Sequence, residues 1–89
     1  MNTAYLSGNK DCISFTYGNR TIRFKGPKSL VRIDRVTCWD AGYIVVDAQY
    51  THEKEPIEDY IDLVPILQNL YIDPETFLKP IEKVEVQNV

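Results

Sequence analysis

Histidine, tryptophan, cysteine and glycine are scarce in these 89 residues, with one His, one Trp, two Cys and four Gly. His52 has no second imidazole to share a metal, and no Ser or Cys nucleophile is spaced to make it a catalytic base. The glycines nowhere cluster into a phosphate-cradling loop. Cys12 and Cys38 stand far apart with no further metal-type ligand near either, which excludes a zinc knuckle. Both are expected as free thiols in strands; a disulfide is geometrically possible but not expected without an oxidising compartment. No apolar run approaches a membrane span, and the opening MNTAYLSGNKDC lacks the basic-then-apolar order of a signal peptide. The expected address is the cytoplasm, with no membrane partner and no cofactor.

What is present is an ordinary globular composition, 44% hydrophobic and 26% charged, enough for one core and one domain. The formal charge of −3 conceals an asymmetry. Residues 1–44 carry seven Lys/Arg against three acids, a balance of +4, whereas residues 45–89 carry three against ten, a balance of −7. Such polarity bears on association with charged partners rather than on fold.

The clearest local pattern is CISFTYGNRTIRFK, where alternation flanks a Gly18-Asn19 pair suited to a two-residue hairpin loop. That register sets Phe15 opposite Ile22 and Ile13 opposite Phe24 on an apolar face, with Thr16 opposite Thr21 and Ser14 opposite Arg23 on a polar one. Gly26-Pro27 ends the pattern, and LVRIDRVTC makes a third strand. Asp40-Ala41-Gly42 suits a type I turn closed by a left-handed Gly, returning the chain through YIVVDAQY, a central strand. After THEKE, PIEDYI makes a further strand whose Pro56 favours an edge or a strand start. From Asp62 the period changes: Leu63, Ile66, Leu67 and Leu70 share one helical face. A second helical turn starts at Asp73-Pro74, and IEKVEV alternates as a final strand. The expected architecture is α+β, a mainly antiparallel sheet of five to six strands with one or two short helices packed on one face. Its segments are an N-terminal hairpin and turn (1–29), antiparallel strands (30–61), short helices (62–79) and a final strand (80–89).

Asp62 and Asp73 could be paired acids, but each stands where a helix begins, and both are expected as N-caps. The acidic run around Glu53, Glu55, Glu58 and Asp59 lacks the spacing of a calcium loop and is expected as a solvated turn and edge. The basic stretch Arg20, Arg23, Lys25, Lys28, Arg32 and Arg35 is the best candidate binding patch. The neighbouring aromatics alternate onto the face opposite Arg23 and Lys25, which removes a base-stacking platform beside those two. Trp39, Tyr43, Tyr50, Tyr60 and Tyr71 are candidate interface anchors, with Trp39, placed in a turn, the preferred single contact.

From Ile33 onward the order of features resembles a family of small bacterial proteins, the domain of unknown function DUF2442. The residues are IDRV, GYIVVDAQY, Asp62-Leu63-Val64-Pro65-Ile66-Leu67 for D-L-x-P-L-L, and Asp73-Pro74 with Phe77 for D-P-x-x-F, over residues 33–86. The resemblance implies a compact sheet with a short helix and antitoxin-like binding; it assigns no functional residue.

The leading expectation is a non-enzymatic protein-binding module, a regulator or inhibitor of one protein partner, in a mobile-element, phage anti-defence or antitoxin-like setting. The alternative is a nucleic-acid-binding accessory protein using the Arg20 to Arg35 face, against which the acidic balance weighs. An exposed strand edge leaves homo-oligomers open.

Overall fold

The computed structural model describes residues 2–87; Met1 and the last two residues of the expected 80–89 segment lie outside it. The described residues form seven strands, β1 (Thr3–Asn9), β2 (Cys12–Tyr17), β3 (Arg20–Lys25), β4 (Leu30–Asp40), β5 (Tyr43–Tyr50), β6 (Ile57–Asp62) and β7 (Lys83–Val86), and two short helices, α1 (Leu63–Asn69) and α2 (Pro74–Leu78). The class is α+β with a mostly antiparallel sheet, as expected, but with seven strands rather than five or six. The added one is β1, which the 1–29 hairpin reading did not contain.

The strands run in the order β3-β2-β1-β4-β5-β6, every neighbour antiparallel. β1 divides its second edge: Thr3–Leu6 pair in parallel with Lys83–Val86 of β7, whereas Asn9 pairs with Arg32 of β4. The β2–β3 register is the expected one, with Phe15 opposite Ile22 and Thr16 opposite Thr21. In its loop Gly18 has φ 64° while Asn19 is not among the positive-φ residues, the pattern of a type II′ turn.

β4 breaks the two-residue rhythm. Its inward residues Leu30, Ile33, Val36 and Trp39 recur every third position, because the ladder with β5 slips once in each interval. Each slip inserts a bulge residue and adds twist, curling the sheet over the core. Trp39 therefore belongs to a strand and points inward, not into a turn. The turn that follows is corrected too. Ala41 (φ 48°) and Gly42 (φ 99°) both lie in the left-handed region between the paired Asp40 and Tyr43, which is a two-residue type I′ loop rather than type I.

The core collects Leu6, Ile13, Phe15, Ile33, Ile44, Val46, Leu63 and Leu67, and among the described residues no polar or charged side chain is buried. Each of the larger ones contributes about 1.5–3 kcal/mol on leaving water. Asp62 caps α1 as expected, its side chain accepting from the Val64 N–H at 3.1 Å. Asp73 stands at the start of α2 with Pro74 at its first position, but its carboxylate makes no cap bond and accepts instead from the Thr76 hydroxyl at 2.6 Å. No helix of the described residues is long and apolar enough to cross a membrane.

Candidate functional site

The strand order converts the charge asymmetry of the sequence into one of space. β3, at one open edge of the sheet, carries Arg20, Arg23 and Lys25 and no acid; β6, at the other, carries Glu58, Asp59 and Asp62 and no base. Among the described residues, Arg20, Arg23, Lys25 and Lys28 form no ion pair. Arg32 and Arg35 differ: Arg32 pairs with Asp34 at 2.7 Å and Arg35 with Asp47 at 2.8 Å, so a third of the predicted basic patch is already matched by acids in mid-sheet. Phe15 is buried and Phe24 half-buried on the face opposite Arg23, as the alternation requires.

The acidic set also splits. Glu53, Glu55 and Glu58 are exposed in the β5–β6 turn and edge strand. Asp59 is half-buried on the inner face, where it accepts from the Tyr50 hydroxyl and, through Oδ1, from the Tyr60 N–H at 2.8 Å. Burial first, and the Asp59 carboxylate second, push the Tyr50 phenol well above its usual range. His52 is exposed in the turn, and among the described residues no three His, Cys, Asp or Glu gather into a metal-holding cluster. Cys12 and Cys38 are exposed free thiols in β2 and β4.

The five aromatic anchor candidates part company here. Trp39 stacks on Phe15 with centroids 6.0 Å apart and donates Nε1–H to the Ile81 carbonyl at 3.2 Å. It also lines an apolar groove of about 600 Å³, shared with Ala41, Val64, Leu78 and Ile81. Tyr43 and Tyr60 cover one another on the outer face of β5–β6, centroids 5.7 Å apart. Tyr71 alone has nothing over it, at 98% exposure, with Leu70 beside it at 48%.

Tyr71 is also held in an unfavourable backbone state. Its N–H donates to the Gln68 carbonyl, the next N–H, from Ile72, donates to Leu67, and its φ is 58°. These two bonds define the Schellman closure of α1, whose left-handed position favours Gly because a side chain costs about 1 kcal/mol there. A bulky ring thus occupies a glycine position while burying nothing. Arg20, at the hairpin tip, lines the same surface depression of about 290 Å³ as Tyr71, together with Ile72, Asp73, Thr76 and Phe77. The end of the molecule formed by the β2–β3 tip and the α1–α2 turn therefore presents an unpaired guanidinium, an exposed ring and an exposed leucine side by side. The sequence offered a sign at Tyr71: Leu70-Tyr71 follows Gln68-Asn69 at the end of the helical pattern, where a glycine stop is usual.

A family model matches residues 2–89, that of a domain of unknown function, DUF7724. This corrects the resemblance to DUF2442: the matching family is a different one and takes in the N-terminal hairpin that the likeness left aside. The residues behind that likeness, Asp62 to Leu67 and Asp73-Pro74 with Phe77, are helix starts and core contacts, which any strand-to-helix junction tends to select. The antitoxin-like binding that the resemblance implied loses that support. No curated protein and no solved structure matches the chain.

Proposed function

We propose that this chain, which belongs to the DUF7724 family, is a non-enzymatic protein-binding module that regulates or inhibits one protein partner through the Tyr71, Leu70 and Arg20 end of the molecule. The observation that carries the reading is Tyr71, fully exposed in a left-handed backbone state that glycine would hold more cheaply. Backbone strain retained without a packing reward marks functional positions, and Tyr and Arg are the residue types on which binding energy concentrates. The unpaired cations Arg20, Arg23, Lys25 and Lys28 favour a partner with an acidic rim and would speed encounter more than they deepen affinity. The nucleic-acid reading keeps four free cations rather than six, and Arg23 and Lys25 have no aromatic platform on their face.

The test uses the chain and its Tyr71→Gly and Tyr71→Phe variants as paired baits in cell extract at low salt. A protein retained by the native chain and by Tyr71→Phe, lost with Tyr71→Gly, and weakened by Arg20→Ala is the expected result. Identical sets of captured proteins on all baits would overturn the proposal. Oligonucleotide binding that falls steeply with salt and disappears with Arg23→Glu would favour nucleic acid instead.

A further inference from the structure

The two open edges of the sheet match each other. β3 hydrogen-bonds only to β2 and β6 only to β5 among the described residues, so each leaves a row of backbone N–H and C=O groups unpaired, a template for another strand. The bonds from Gly26 N–H to the Asp11 carbonyl and from Leu63 N–H to the Gly42 carbonyl fix which groups these are. Counting from them by the antiparallel alternation, Thr21, Arg23 and Lys25 of β3 and Glu58, Tyr60 and Asp62 of β6 direct their backbones outward. All six also carry their side chains on the outer face of the sheet.

We infer that the chain associates head to tail with further copies of itself, β3 of one copy pairing antiparallel with β6 of the next. Three features converge on it. The antiparallel path has six strands, an even number, so β3 and β6 run in opposite directions, and a copy displaced along the sheet brings β3 antiparallel to β6 with the inner faces on one side. Both edge strands are six residues long. Their charges are opposite: a register with Lys25 facing Glu58 also sets Arg23 against the Tyr60 ring and Ile22 opposite Ile61. Pairing β3 with β3, or β6 with β6, instead brings like charges together and is disfavoured. The contact is heterologous, so it propagates until the curvature closes a ring or the filament ends. It shares Arg23 and Lys25 with the cations invoked above but uses neither Tyr71 nor Leu70, and it rests on the strand edges rather than on that partner.

Sedimentation of the purified chain alone tests it. At about 20 mM salt the average mass should rise with concentration, and at about 0.5 M it should return to that of the monomer. Lys25→Glu and Glu58→Lys, both at exposed positions, should each sediment as monomers at low salt. Their equimolar mixture, and the double variant Lys25→Glu/Glu58→Lys, should regain association. Far-UV circular dichroism checks that each variant is folded, and the neutral pair Lys25→Gln and Glu58→Gln replaces any that is not, with weaker association expected for each. A native chain that stays monomeric across the low-salt series, variants that associate as the native chain does, or a mixture that stays monomeric would each overturn the inference.

Discussion

Trp39 lies over Phe15 with the rings 21° from parallel and their centroids 6.0 Å apart, joining the far end of β4 to the middle of β2 across the core. The indole is the one point where these two strands, which are not neighbours in the sheet, meet through aromatic faces. Trp39→Ala should cost about 3–5 kcal/mol in urea unfolding, from lost packing together with an unpaired Ile81 carbonyl. Trp39→Phe should cost roughly a third of that, since a ring remains over Phe15.

The type I′ loop holds Ala41 at φ 48°, where a Cβ is a burden. Ala41→Asn or Ala41→Gly should therefore raise stability by about 0.5–1 kcal/mol, seen as a higher midpoint of thermal unfolding. Gly42→Ala should do the reverse and more strongly, because a Cβ there would stand 2.6 Å from the Leu78 Cδ1 in addition to adopting φ 99°.

Tyr71→Gly should stabilise the fold by about 1 kcal/mol while removing partner binding, two effects of opposite sign from one substitution. A loss of stability in that variant would show that the ring does contribute to packing, and the functional reading of its strain would go.

Asp62 and Asp73 look alike in sequence and should not behave alike. Asp62→Ala should cost about 1 kcal/mol, since the carboxylate accepts the Val64 N–H. Asp73→Ala removes only an exposed bond to the Thr76 hydroxyl and should cost a few tenths. Equal losses would mean that Asp73 caps in solution.

Tyr50 sets an alkaline limit. Its phenol titrates higher in the folded chain than in the unfolded one, so the folded state retains the proton; the stabilisation is whole below pH about 10 and declines as pH rises beyond it. Urea titrations from pH 8 to 11.5 should show that decline in the native chain. Tyr50→Phe should be less stable at pH 8, having left Asp59 with the Tyr60 N–H but without the hydroxyl donor, and should show a shallower alkaline fall.

Much of this was legible in the residues because local rules and tertiary demands agreed. The β2–β3 register followed from alternation and a loop pair that only one pairing satisfies, and Asp62 announced its helix. β1 was not legible because only Ala4 and Leu6 bury side chains in the core, while Ser7, Gly8 and Asn9 read as loop; its strand character comes from neighbours on both edges. The three slips in β4 were hidden for a similar reason: a bulge is dictated by the partner strand, so the three-residue spacing that turns Trp39 inward has no meaning until β5 is in place. At the candidate site, the cations and Tyr71 could be named from sequence, but their standing differed only after folding, when Arg32 and Arg35 found acids and Tyr71 found nothing.

The parallel pairing of Thr3–Leu6 with Lys83–Val86 joins segments some 80 residues apart. Loop closure of that length must precede the contacts that reward it, which places this domain among the slower folders for its size. During synthesis β1 can take β2 as a partner at once, yet most of its other edge stays open until β7 has left the ribosome. β1 is thus completed only after β2 to β6 have been made, and a nascent chain stalled short of β7 would expose the strand that the finished fold covers on both sides.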